Sequence, residues 1–120
     1  GFGLLTFCEA QIRPGFEVVA GCLDLETAIA GADLMVTAEG SLDSQTLEGK
    51  APLGVAKLAR KHRKRVVAIA GHISPDVDWS GVFDAALPLS EQPLALEESV
   101  RNAANLLEQS AQRIAKLNLL

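Results

Sequence analysis

Seven residues in the middle of the chain, RVVAIAG from Arg65 to Gly71, form a nearly unbroken apolar run. A strand with one wet face alternates apolar and polar side chains. A strand that is apolar throughout is buried on both faces, as in a parallel sheet covered by helices. Upstream, DLMVT (Asp33–Thr37) is short, apolar and bounded by polar and glycine residues, the pattern of a second buried strand. Between the two, Ala51–Lys61 places apolar residues at Ala51, Val55, Leu58 and Ala59, a helical spacing. Pro52 falls in the first turn, where a missing N–H costs nothing. Strand, helix and strand at this length predict a β-α-β unit with parallel strands.

The flanking sequence extends this pattern. FDAALPL (Phe83–Leu89) reads as a third, weaker strand whose Pro88 belongs near a sheet margin. Leu4–Ala10 reads as the end of a helix, broken by Arg13-Pro14-Gly15. Phe16–Cys22 and Asp24–Ala30 follow as short helices, with Asp24 as N-cap and Gly31 as stop. The last helix is expected over Leu96–Leu117, with an apolar stripe of Leu96, Val100, Ala103, Leu107, Ala111 and Ile114. The fold class that results is α/β: a three-layer, Rossmann-like or flavodoxin-like open parallel sheet, with residues 1–120 as one segment. Three strands are few for such a sheet. Gly1-Phe2-Gly3 also runs straight into apolar residues without an initiator Met. The expectation is a piece cut from a longer protein, with either sheet neighbours supplied by the missing chain or an exposed edge.

Composition excludes several functions. The 120 residues suffice for a core, and 48% of them are hydrophobic, which rules out a disordered tail. The net charge of −4 argues against a nucleic-acid surface, which needs clustered Lys and Arg to neutralise phosphates. The one basic cluster, KLARKHRKR (Lys57–Arg65), sits on the last turns of the predicted central helix. There its cations complement the helix dipole as a solvated face, His62 among them. The two cysteines, Cys8 and Cys22, have no metal-binding or disulfide spacing and read as buried apolar side chains in a reducing cytoplasm. No apolar run reaches membrane-spanning length.

The chemistry concentrates in TAEGSLDSQTLEGKAP, from Thr37 to Pro52. Ligands of open parallel sheets bind beyond the carboxyl ends of the strands, where this segment would leave the first strand. The segment GHISPD (Gly71–Asp76) would open on the same rim, bringing His72 near it. Glu39 and Asp43 are an anionic pair suited to Mg²⁺ or to accepting a proton. Gly40 admits a ligand close to the backbone. Ser44, Gln45 and Thr46 offer hydrogen bonds to hydroxyls or phosphate oxygens. Lys50 stands at a helix N-terminus, where anions are favoured. The same residue types also cap helices, so structure competes with function at each position. SQTLEGKA is not a Walker A loop, because Ser44 replaces its first glycine and Ala51 its final hydroxyl. Trp79 reads as a loop anchor.

Beyond these physical arguments, ADLMVTAEGSLDSQTLEGKAPLGVAKLARKH resembles the C-terminal part of bacterial glycerate kinases. Their signature runs approximately T-G-E-G-x-x-D-x-Q-T, then G-K-A-P and a helix. Thr37, Glu39, Gly40, Asp43, Gln45, Thr46, Gly49, Lys50, Ala51 and Pro52 match it. Ala38 stands where glycine is usual and Ser41 where arginine is frequent. The resemblance implies ATP-dependent phosphorylation of D-glycerate with Mg²⁺, with substrate and nucleotide between two domains. On that reading Asp43 is the base towards the glycerate hydroxyl or a metal ligand, and Glu39 a metal ligand or substrate acceptor. Gln45 and Thr46 orient substrate, and Lys50 meets a carboxylate or phosphate. The rival reading is a non-catalytic α/β module that binds an anionic metabolite or a partner chain. Under either, the chain alone is expected to lack turnover and to self-associate through its exposed sheet edge.

Overall fold

A computed structural model describes residues 1–117. Its centre is a three-stranded sheet in the order β1 (Leu34–Leu42), β2 (Arg65–Ile73), β3 (Ala85–Pro88). Both pairings are parallel, running from Leu34↔Arg65 to Leu42↔Ile73 and from Val67↔Ala85 to Ala70↔Pro88. Ahead of the sheet lie α1 (Phe2–Phe7), α2 (Gly15–Cys22) and α3 (Leu25–Gly31). A 3₁₀ turn (Ser44–Glu48) and α4 (Ala51–Lys61) connect β1 to β2; α5 (Leu96–Arg101) and α6 (Ala103–Ala115) follow β3.

The central apolar run does what its sequence requires. Val66, Ala68 and Ala70 pack with Leu42, Ala56, Ala59, Trp79 and Phe83 on the α4 side. Val67 and Ile69 pack with Ile114 of α6 on the other. Helices on both faces make the fold a three-layer α/β sandwich with an open parallel sheet. Asp84 fixes the entry to β3, its Oδ2 accepting from the Val66 amide at 2.7 Å while its own amide donates to the Val66 carbonyl at 2.9 Å. Trp79 anchors its loop as expected: it is buried, stacks on Phe83 and donates its indole N–H to the Ser74 carbonyl.

Two strands run further than their apolar runs suggest. β1 continues from Thr37 through Glu39, Gly40 and Ser41, and β2 continues to Ile73. Pairing is a backbone matter, so polar side chains at the exposed strand ends do not stop the ladder. The side-chain alternation shifts along this extension. Ala70 and Ile73 contact one cluster three residues apart, and so do Met35 and Leu42 seven apart. An odd separation breaks the period of two, and the break falls where Gly40 and Gly71 lie side by side. A Cβ on Gly71 would stand 2.8 Å from the Gly40 carbonyl oxygen, so only glycine fits.

Three expectations are corrected. Cys8 and Cys22 are exposed, because neither α1 nor α2 contains a buried residue. The single terminal helix is two helices that meet at Asn102, whose backbone (φ −101°, ψ 10°) leaves the helical region. That break rotates the buried stripe to Leu106, Ser110 and Ile114, and leaves Leu96, Val100 and Leu107 exposed. Asp24 does precede α3, but in left-handed conformation (φ 49°). Its carboxylate accepts from the Thr27 hydroxyl and caps no backbone N–H.

Candidate functional site

The polar segment folds as a tight bend at the carboxyl end of β1. Asp43 follows the strand directly and starts the 3₁₀ turn, its Oδ1 accepting from the Gln45 amide at 3.0 Å. Thr46, fully buried, closes the bend. Its Oγ1 accepts from the Asp43 amide at 3.2 Å and donates to the Ser41 carbonyl at 3.4 Å. Gly49 then takes a left-handed conformation (φ 110°), which reverses the chain and which a side chain resists. This reversal returns Lys50 to Asp43, with Nζ 3.7 Å from Oδ1. Lys50 is also the N-cap residue of α4, and Pro52 lies in that helix's first turn.

Both charged groups face solvent: about a third of each side chain is accessible, 38% for Lys50 and 35% for Asp43. Partial burial pushes the Asp43 carboxyl up. The Lys50 ammonium, the Ser41 hydroxyl and the amides of Gln45 and Thr46 outweigh it and hold Asp43 below the usual carboxylate value. Asp43 is therefore ionised at neutral pH, beside a cation and the positive end of α4.

The bend thus brings Asp43, Gln45, Thr46 and Lys50 together. Gln45 contributes its backbone amide, and Thr46 is an internal brace rather than a surface donor. Glu39 sits on β1 opposite Ala70 and enters no hydrogen bond or ion pair with the others among the described residues. Gly40 is exposed with open space where a Cβ would be, so its surroundings leave a ligand room to approach. Among the described residues no group of three or more His, Cys, Asp or Glu side chains could hold a metal ion. Magnesium sites in general take most of their ligands from phosphate oxygens and water, with one or two carboxylates.

The second half of the rim lies across the sheet. The Ser74 amide donates to the Leu42 carbonyl at 2.8 Å, tying the two strand exits together. His72 pairs in register with Ser41, is exposed, and lines a cavity of about 430 Å³ with Ser90, Gln92 and Ser99. His62 is not merely solvated as expected. Its Nε2 lies 2.8 Å from the Glu26 carboxylate, which also pairs with Lys61 and so links α3 to α4. The sequence reading missed the hydroxyl of Ser41, which supports Asp43, and Arg113, which holds the exit of β3. Arg113 lies in no recognisable motif, and Ser41 occupies a variable position of the one quoted above.

An open parallel sheet covered on both faces, with a charged bend at a strand's carboxyl end, where ligands of such sheets generally bind, defines an α/β sandwich. The chain belongs to the glycerate kinase family, whose model matches residues 1–119. It is 38% identical over 117 residues to the glycerate kinase of Bacillus subtilis (strain 168), covering 96% of this chain and 31% of that protein. It is 36% identical over 120 residues to the glycerate 2-kinase of Escherichia coli (strain K12), again covering 96% and 31%. A solved structure from Salmonella typhimurium LT2 that carries the name glycerate kinase 2 superposes with a TM-score of 0.73 at 37% identity. That match covers 96% of this chain and 29% of the other. The chain therefore spans about a third of the length of the relatives it matches. Among the described residues no helix is long and apolar enough to cross a membrane.

Proposed function

We propose that this chain supplies the C-terminal part of the active site of an ATP-dependent kinase acting on D-glycerate. The observation that carries the reading is the Asp43–Lys50 pair at the rim of the parallel sheet, in a chain of this family. Phosphoryl transfer asks the protein mainly to position two substrates and to stabilise charge. The glycerate hydroxyl oxygen forms a bond to the γ-phosphorus, the bond from that phosphorus to the β–γ bridging oxygen breaks, and ADP leaves. Asp43, ionised and fixed by the bend, takes the hydroxyl proton. Lys50, at the start of α4, offsets the charge of a phosphate or carboxylate.

Magnesium bound with ATP would neutralise phosphate charge; within this chain Glu39 would hold it, or Asp43 in place of its role as base. The name of the E. coli relative, glycerate 2-kinase, favours the 2-hydroxyl as acceptor. The relatives are about three times as long as this chain, which supports a cleft completed by a second domain outside this segment. Two free, exposed cysteines suit a reducing cytoplasm.

The test is a phosphoryl-transfer assay on the full-length protein with D-glycerate and Mg-ATP, the product read by ³¹P NMR. Formation of phosphoglycerate with ADP is expected. Absence of transfer, with glycerate and ATP both failing to bind by calorimetry, overturns the reading in favour of a non-catalytic module.

A further inference from the structure

The exit of β3 is held from the opposite layer. Arg113 of α6 donates through Nη2 to the Pro88 carbonyl at 2.6 Å, the Leu89 carbonyl at 3.3 Å and the Ser110 hydroxyl at 2.8 Å. Its Nη1 lies 3.6 Å from the Glu91 carboxylate. Ser110, fully buried, donates in turn to the Leu106 carbonyl at 2.9 Å. The Leu89 amide meets the Ala70 carbonyl at 2.7 Å, so the clamp reaches directly into β2 one residue before Gly71 and His72. The Nε of Arg113 is buried with no partner among the described residues, and the bonds of the guanidinium run through its two terminal nitrogens.

The 89–94 connection has no regular structure of its own, yet it walls the cavity that contains His72. A polar loop without a ladder stays in place only through such side-chain bonds. We infer that Arg113 is a positioning residue: it fixes the β3 exit loop as the far wall of the ligand rim, opposite the Asp43–Lys50 bend. One planar fork serves two carbonyls, a hydroxyl and a carboxylate, and a lysine at this position has no equivalent geometry. The inference rests on the proposed function only in taking this rim to be where substrate sits.

Two readouts on the full-length protein test it. In Arg113→Lys, amide hydrogen exchange at residues 89–94 is expected to quicken by about tenfold or more, while Val67–Ala70 stay protected. KM for D-glycerate is expected to rise by about tenfold with kcat changed less than about threefold, because the reacting groups are untouched. Glu91→Gln, an exposed change that removes only the Nη1 pair, should shift both in the same direction by less. Unchanged exchange at 89–94, or a rise shared equally by the β2 core, overturns the positioning role. Should the protein not phosphorylate glycerate, the exchange measurement, made without ligand, decides on its own.

Discussion

The ammonium of Lys50 and the carboxylate of Asp43 stand 3.7 Å apart across a bend that only Gly49, in its left-handed conformation, allows to close. The pair ties protonation to stability. The folded state holds Asp43 below its ordinary value, so it binds its proton less readily than the unfolded chain does. The stabilisation is complete above the ordinary carboxylate value and is lost as pH falls through the lower folded one. Denaturant midpoints of wild type and Asp43→Asn, measured from neutral to acid pH, should therefore converge towards the acid end. A constant gap would show that the charge of Asp43 is not what stabilises the bend.

Thr46 is the brace of the same bend, with its hydroxyl buried between the Asp43 amide and the Ser41 carbonyl. Thr46→Val keeps the shape and removes both bonds, leaving two partly buried backbone groups unpaired. A loss of about 1–3 kcal/mol is expected by urea unfolding, with Thr46→Ser retaining most of the stability.

Gly71 faces the Gly40 carbonyl across the β1–β2 ladder, and the neighbour that would have to move is backbone. Gly71→Ala should cost about 1–3 kcal/mol, the range for overpacking, and loosen the strand exits that carry Ser41 and His72. Gly40→Ala, with open space at its Cβ, should cost less. Equal costs would contradict the close approach.

β1 is an edge strand, and Val36 on it is 51% exposed; Phe2, Leu4, Phe7 and Ile12 are also exposed. Unpaired edges and apolar surface invite association. Studied alone, the 120-residue chain should show a sedimentation mass that rises with concentration. A clean monomer at high concentration would mean the edge is protected.

The sheet was legible where burial dictates composition: the run from Val66 to Ala70 can be apolar on both faces only between two helical layers. The last residues of β1 were not, because Glu39 and Ser41 lie at the rim, where the ladder continues and side chains no longer need to be apolar. The terminal helix shows the reverse failure. Its periodicity was real, but the break at Asn102 reset which face meets the sheet. The cysteines misled because the usual burial of that residue type assumes a partner layer, and α1 and α2 present no buried face. Within the site, the motif located Asp43, Thr46 and Lys50. It could not distinguish the side chain facing solvent from the one bracing the turn.

The most direct test of the account is kcat for D-glycerate phosphorylation in the full-length protein carrying Asp43→Asn. Loss of the proton acceptor predicts a fall of at least about a hundredfold, the lower range for general acid–base catalysis. A rate close to wild type in a folded variant would remove Asp43 from the chemistry and contradict the assignment.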